Sequence, residues 1–172
     1  MKLMRLGLVL AFALGASAVR ADVIERTGDI GAVLLPAGAA VGALVIKDHQ
    51  GLGQLGLAYA STMAVVYILK PIVDRTRPDG GGQSFPSGHA ASAFVGAAFL
   101  QRRYGWRFGV PAYALATYVG WSRVEADRHH PSDVVAGAAI GIGANLLFTR
   151  RRAPVSLAIE PSRAAILVNI AW

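Results

Sequence analysis

The feature that most constrains this chain is the arrangement of its apolar residues in blocks, separated by short clusters of charge, glycine and proline. Apolar residues make up 54% of the sequence, and the mean hydropathy of +0.46 is high for a water-soluble globule. Such blocks, rich in glycine and alanine, predict an all-α transmembrane helical bundle. After an N-terminal run, the blocks cover roughly Ile30–Ile46, Leu52–Leu69, Gly88–Leu100, Phe108–Trp121 and Val134–Phe148.

The N-terminal run, Leu6 to Val19, follows Lys2 and Arg5 and is shorter than the roughly 20 residues that a spanning helix needs. Small residues near its end resemble a cleavage site, so we favour a cleaved secretory signal over an uncleaved first helix. The bundle would then have five spans, or six if the run is retained. The predicted division is residues 1–21 for the signal or first helix, 22–152 for the membrane domain and 153–172 for a tail.

The tail alternates apolar with smaller or polar residues on both sides of Pro161. This pattern is compatible with a short β-hairpin. An interfacial strand pair and a weakly ordered tail explain it equally well, and we assign the tail no function.

Seventeen lysines and arginines against ten acidic residues give a formal charge of +7, and the chain has no cysteine. The absence of cysteine excludes disulfides, thiolate catalysis and cysteine-based metal sites. The positive residues lie between apolar blocks rather than along one polar face, so nucleic acid is the weakest candidate partner. With a cytoplasmic N-terminus, the positive-inside rule places one group of these charges in the cytoplasm. That group is Lys2, Arg5, Lys47, Arg102, Arg103, Arg107 and Arg150 to Arg152.

Three polar clusters stand at the ends of apolar blocks: Lys70 to Pro78, Pro86 to His89, and Ser122 to Asp133. The same topology brings all three out on the non-cytoplasmic side, so we expect them to form one site. Each residue taken alone has a purely structural interpretation, such as a lysine at a helix end or a serine cap. The coincidence of all of them in one place favours a functional site.

The predicted site would bind a tetrahedral oxyanion, for which phosphate is the common biological case. Lys70, Arg77 and Arg123 supply permanent positive charges, and arginine matches the geometry of phosphate oxygens. Ser87 and Gly88 stand at a predicted helix start, where free N–H groups and the helix dipole favour an anion.

Two histidines complete the predicted chemistry. A nucleophilic histidine must be neutral and oriented, usually by a carboxylate on its second ring nitrogen. Asp133 lies four residues after His129, on a first helical turn opened by Pro131, and can turn back towards it. His130 is three residues from Asp133 and is interpreted as a neighbour that shapes the loop. His89 would protonate the leaving alkoxide and later deprotonate the attacking water.

These three clusters carry the motifs Lys-x6-Arg-Pro, Pro-Ser-Gly-His and Ser-Arg-x5-His-x3-Asp. The motifs resemble the three-part signature of the type 2 phosphatidic acid phosphatase superfamily, and the resemblance covers roughly Leu52 to Phe148. It implies a helical bundle, usually of six spans, in which His129 forms a phosphoenzyme, Asp133 orients it and His89 is the general acid and base. It also implies no metal or other cofactor, and phosphate-binding roles for Lys70, Arg77, Ser87, Gly88 and Arg123.

The sequence therefore predicts a metal-independent lipid phosphate phosphatase in a bacterial inner membrane, with its active site facing the periplasm. The loop from Asp79 to Phe85 is short and Gly-rich, so we expect an open pocket that lipids approach from the side. Candidate substrates are undecaprenyl pyrophosphate, phosphatidylglycerol phosphate, phosphatidic acid and lipid A phosphate. The alternatives are a phosphotransferase using the same phosphohistidine, a vanadate-dependent haloperoxidase, and a non-enzymatic subunit that binds lipid headgroups.

Overall fold

The structure, a computed structural model, describes residues 2–152, 156–159 and 166–169, with side chains described for residues 21–152. Within these residues the chain forms five helices and two short strands, and the predicted helical membrane bundle is confirmed. The elements are α1 (Lys2–Val45), α2 (His49–Val73), α3 (Gly88–Tyr104), α4 (Trp106–Glu125), α5 (Pro131–Phe148), β1 (Ser156–Ile159) and β2 (Ile166–Asn169).

Helix α1 joins the N-terminal run and the first apolar block into one helix of 44 residues. The predicted division at residue 21 falls inside this helix, and cleavage of a signal stays a prediction. Pro36 lies within α1 without ending it. A proline is tolerated in a membrane helix because neighbouring helices and side chains satisfy the backbone group that it frees.

Helix α3 is the central element and contacts each of the other four helices. Its core-facing residues are small: Ala90, Ala93 and Ala97 are fully buried, together with Val95 and Phe99. Small side chains let the surrounding helices approach closely, which is how helices associate in a membrane where lipid and leucine are equally apolar. Because the other helices enclose α3, its surface does not need to be uniformly apolar. The apolar block of α3 is therefore the one that stands out least in the hydropathy of the sequence.

Three described helical segments are long and apolar enough to cross a membrane: Ala21–Val45, His49–Val73 and Pro131–Phe148. Their outer faces expose large apolar side chains such as Ile72, Val135 and Leu147, the composition expected of a lipid-facing surface. Helix α3 has 17 residues and is enclosed, so the predicted count of five or six spans stays a prediction.

The bundle has two polar ends. At the first, the pocket end, α2 and α4 finish while α3 and α5 begin. At the second, the Asp48 end, the α1–α2 connection meets the α3–α4 connection and the finish of α5. There the buried guanidinium of Arg103 donates to both carboxylate oxygens of Asp48, at 2.8 and 2.6 Å. Arg103, one of the charges predicted to face the cytoplasm, is only 4% exposed.

The strands β1 and β2 pair antiparallel, with Ser156 opposite Asn169 and Ile159 opposite Ile166. Residues 160–165, which would connect them, lie outside the described residues. The hairpin as a whole therefore stays a prediction.

Candidate active site

A cavity of about 480 Å³ opens at the pocket end. Its lining includes Val33 of α1 and Tyr59, Met63 and Val66 of α2, which are mostly apolar. It also includes six of the eight residues predicted from sequence: Lys70, Arg77, Gly88, His89, Arg123 and His129. The three sequence clusters therefore meet in space, as the charge-derived topology predicts.

The remaining two predicted residues, Ser87 and Asp133, are fully buried and lie outside the cavity lining. Ser87 begins α3: its hydroxyl accepts from the backbone N–H of Ala90, and its own N–H donates to the carbonyl of Asp133 at 2.9 Å. Gly137 makes this approach of α5 to α3 feasible, because a Cβ there would collide with the Ser87 carbonyl. Ser87 thus has a capping and packing role here, and its contact with phosphate stays a prediction.

His129 lies in the loop between α4 and α5 and is 4% exposed. Its backbone N–H donates to the Arg123 carbonyl at 3.1 Å, which fixes the loop to the end of α4. Its Nδ1 is 3.9 Å from a carboxylate oxygen of Asp133, too far for a hydrogen bond. The Ser84 hydroxyl bridges the two groups, 3.4 Å from that Nδ1 and donating to the carboxylate at 2.5 Å. Because Nδ1 faces Ser84, Nε2 is the ring nitrogen left for the cavity.

Asp133 is held from three sides. Besides Ser84, its carboxylate accepts from the backbone N–H of His130 at 2.9 Å and from the Arg75 guanidinium at 2.9 Å. This fixes the carboxylate as a rigid support behind His129. The ring of His130 contacts the carbonyl of Thr76 at 3.1 Å and does not line the cavity. Of the two adjacent histidines, His129 lines the cavity and His130 does not, but the predicted direct hydrogen bond from Asp133 to the His129 ring is not formed. The role of His129 as nucleophile stays a prediction.

The electrostatics of the pocket favour a neutral His129. Burial, with the nearby positive charges of Arg77 and Lys70, lowers the pKa of His129 to about 4. At neutral pH the imidazole is therefore unprotonated and its free nitrogen can act as a nucleophile.

Two of the three predicted phosphate-binding cations are not neutralised by acidic residues. Lys70 Nζ donates to the Gln83 carbonyl at 2.7 Å, and Arg77 Nε donates to the Gly82 carbonyl at 3.1 Å. Across residues 21–152, neither forms an ion pair with a carboxylate. Their positive charges, and the N–H groups that have no partner among these residues, are available to bind an anionic ligand. Arg123 differs: it is 2% exposed and bonds Asp29, Ser122 and the carbonyl of Glu25.

Sequence reasoning missed four side chains of this site: Ser84, Arg75, Glu25 and Asp29. Glu25 and Asp29 line the cavity from α1, and Glu25 pairs with Arg128 at 2.8 Å. The sequence contained a signal for Glu25 and Asp29, because an ionisable residue at the edge of an apolar segment is a candidate for a functional site. Nothing in the loop sequence distinguishes Ser84 from its neighbours, because its role depends on the tertiary position of Asp133.

Within residues 21–152, no group of three or more His, Asp or Glu is arranged to hold a metal ion.

Comparison with known proteins gives consistent matches. Residues 51–154 match the model of the PAP2 superfamily. The chain is 34% identical over 153 residues to a lipid A 4'-phosphatase of Helicobacter pylori, covering 82% of this chain and 77% of that protein. It is 37% identical over 105 residues to a lipid A 1-phosphatase of Porphyromonas gingivalis, covering 59% of this chain and 22% of that one.

The fold has a counterpart among solved structures. The crystal structure of Aquifex aeolicus LpxE superposes with a TM-score of 0.66, covering 75% of this chain and 84% of that chain. The two sequences are 23% identical, so this likeness concerns the fold alone.

Proposed function

Because the chain belongs to the PAP2 superfamily, we propose that it is a membrane lipid phosphatase that works through a phosphohistidine on His129. The observation that carries this proposal is the buried imidazole of His129, which lines one cavity with the cations Lys70 and Arg77, neither of which has a carboxylate partner within residues 21–152. A neutral nucleophile next to uncompensated positive charge is the arrangement that phosphoryl transfer requires.

The proposed reaction has two steps. Nε2 of His129 attacks phosphorus, the phosphorus–nitrogen bond forms and the bond to the lipid oxygen breaks, while His89 gives a proton to that oxygen. Water then attacks the phosphohistidine, His89 takes its proton, and inorganic phosphate leaves with His129 restored. Lys70, Arg77 and Arg123, with Gly88 and Ser87 at the start of α3, would hold the phosphoryl oxygens. Asp133, through Ser84, would keep Nδ1 of His129 oriented.

Access from the bilayer is supported by the apolar residues in the lining of the cavity, such as Val33 and Val66. A second, apolar groove of about 340 Å³ lies between α1 and α2 and shares Val33 and Tyr59 with the cavity. A lipid whose phosphate contacts Arg77 could lie along this groove without leaving the membrane. The similarity to lipid A phosphatases makes a lipid A phosphate the first substrate to test. In a bacterial cell we expect the inner membrane, with the pocket facing the periplasm.

A substrate panel in detergent with a chelator tests the proposal. Lipid A, undecaprenyl pyrophosphate, phosphatidylglycerol phosphate and phosphatidic acid are compared for wild type and His129→Ala, with release of inorganic phosphate as the readout. We expect wild-type turnover without divalent metal and none with the variant. Full activity of a normally folded His129→Ala protein would refute the mechanism. Phosphate recovered on a second lipid instead of free in solution would identify a phosphotransferase.

A further inference from the structure

Asp29 makes two contacts that the proposed mechanism does not use. One of its carboxylate oxygens is 3.0 Å from Nε2 of His89 and also 2.5 Å from a guanidinium nitrogen of Arg123. The Asp29 side chain is 46% exposed, and the residue lines the cavity together with His89 and Arg123. Its position in α1 is outside residues 51–154, the part of the chain that the family model matches.

The close approach of α1 to α4 is built into the sequence. Gly28, the residue before Asp29, packs directly against Ser122 and Arg123, and a Cβ at this position would collide with both side chains. The carbonyl of Glu25, one turn earlier, accepts a hydrogen bond from Arg123. Helix α1 is therefore fixed against the end of α4 at the level where Asp29 reaches His89.

A general acid in this pocket faces an electrostatic problem. His89 must carry a proton when the lipid oxygen leaves, but Lys70 of α2, Arg77 of the following loop and Arg123 of α4 all line the same cavity. Each of these charges opposes a positive imidazolium. His129, which also lines the cavity, carries no negative charge that could offset them. Among the described side chains, Asp29 is the carboxylate that His89 contacts within ion-pairing distance.

We propose that Asp29 is a positioning residue for His89: its carboxylate orients the imidazole at the cavity and favours the protonated form, which gives its proton to the leaving oxygen of the substrate. This inference rests on the proposed function and extends it to α1. The proton passes from His89 to the lipid oxygen and returns when His89 deprotonates the attacking water, so Asp29 gains and loses none. Its negative charge stabilises the acid form of His89 and at the same time fixes the guanidinium of Arg123.

The choice of leaving group separates the effect of Asp29 on His89 from its effect on Arg123. An alkyl phosphate needs a proton on its departing oxygen, whereas p-nitrophenolate departs without one. The test measures kcat/KM, which reports phosphoenzyme formation, for dodecyl phosphate and p-nitrophenyl phosphate. For Asp29→Asn, we expect the loss with dodecyl phosphate to exceed the loss with p-nitrophenyl phosphate by about 10-fold or more. The high-pH limb for dodecyl phosphate should also move to lower pH, because His89 then loses its proton more readily.

A double-mutant cycle tests whether Asp29 acts through His89. In a His89→Ala background the extra loss on dodecyl phosphate should disappear, because the group that Asp29 supports is gone. Glu25→Gln is the matched control: it removes an equal charge from the same helix and the same cavity wall, and should affect both substrates alike. An equally selective loss in Glu25→Gln would mean that the general field of α1, and not the contact with His89, is responsible.

The outcomes are distinct. Equal losses of Asp29→Asn on both substrates would mean that Asp29 only supports Arg123. A lower KM of this variant with undiminished kcat would mean that the Asp29 carboxylate repels the substrate phosphate. Either result overturns the proposal. If Asp29→Asn fails to fold, Asp29→Glu carries the test, because it keeps the charge but shifts the carboxylate from His89. It should show a smaller loss with the same selectivity, and no selectivity overturns the proposal. His129→Ala is measured in the same assays. An active His129→Ala protein would refute the proposed function, whereas an inactive one, together with an unselective Asp29→Asn, would refute only the role of Asp29.

Discussion

The two polar ends of the bundle use the same kinds of side chain for opposite purposes. At the Asp48 end, both carboxylate oxygens of Asp48 bond the Arg103 guanidinium, and the hydroxyl of Tyr104 and the N–H of Gly51 donate to the same carboxylate. At the pocket end, Lys70 and Arg77 bond only backbone carbonyls, with no carboxylate ion pair across residues 21–152. One end satisfies its charges internally, and the other keeps positive charge available for a ligand.

The difference teaches how a buried charge should be interpreted. Arg103 and Arg123 are both almost completely buried, at 4% and 2% exposed. Arg103 meets a buried carboxylate and closes a self-contained network. Arg123 meets Asp29, which is itself half-exposed in a cavity. Burial alone does not separate the structural arginine from the candidate site residue; the exposure of its partner does.

The largest expected effect is at the pocket end. His129→Ala removes the proposed nucleophile, and we expect kcat to fall by at least about 10⁴-fold, as for other enzymes that lose a catalytic nucleophile. His130→Ala is the matched control, because its ring faces Thr76 and does not line the cavity. Phosphate release from the preferred lipid measures both. Comparable losses in the two variants would show that the loop, and not the nucleophile, had been damaged.

The Asp48 end should show the reverse pattern. Arg103→Met leaves the carboxylate of Asp48 buried without its main partner, and we expect a loss of about 3–5 kcal/mol in stability. The double variant Asp48→Asn with Arg103→Met should recover part of it, since no unpaired charge remains. Thermal unfolding in detergent measures the stability, and kcat of the surviving folded protein should stay near wild type. A selective loss of kcat would make this end part of the catalytic machinery.

The same pair predicts a dependence of stability on pH. The hydrogen bonds from Arg103 hold the pKa of Asp48 well below its usual range. A lowered pKa contributes stability that is complete above the unfolded value, about 4, and is lost as pH falls below it. Unfolding midpoints between about pH 6 and pH 2.5 should therefore fall more steeply for wild type than for Asp48→Asn. Parallel curves for the two proteins would show that the pair contributes no such stability.

The sequence predicts the pocket end better than the Asp48 end, and the reason is physical. Motif spacing places Lys70, His89 and His129 at helix ends, and alternating helix directions bring those ends together. Arg103 sits among cytoplasmic charges in any sequence-based count, because only tertiary packing reveals that Asp48 lies opposite it.

Two site residues show the same limit within the pocket. Ser84 matters because the fold places it between Nδ1 of His129 and the carboxylate of Asp133. Asp29 matters because Gly28 lets α1 reach Arg123. Neither relation is encoded in a local spacing, so a scan for motifs passes over both residues.

A smaller effect sharpens the role of uncompensated charge. Arg77→Gln should weaken binding of vanadate, an analogue of phosphate, by about 10- to 100-fold, since one charge-assisted contact is lost. Stability should hardly change, because Arg77 bonds only the Gly82 carbonyl through Nε. The acid limb of the kcat/KM profile should move to higher pH, because Arg77 is one of the charges that lower the pKa of His129 to about 4. An unmoved acid limb would contradict this electrostatic role.

The smallest effect is expected for Ser84→Ala, which tests whether the support behind His129 passes through a hydroxyl. Without the bridge, Nδ1 of His129 faces Asp133 across 3.9 Å with no hydrogen bond. We expect kcat to fall by about 10-fold, the lower range for loss of a residue that orients a ligating or catalytic histidine. Ser84→Thr keeps the hydroxyl and should retain most activity. Because Arg75 and the His130 N–H still hold Asp133, vanadate binding should stay close to wild type. A fall in vanadate affinity as large as the fall in kcat would show that Ser84 maintains the shape of the whole pocket. The pocket end would then depend on an internal hydrogen-bond network for its structure, as the Asp48 end does, and the two ends would no longer differ in this respect.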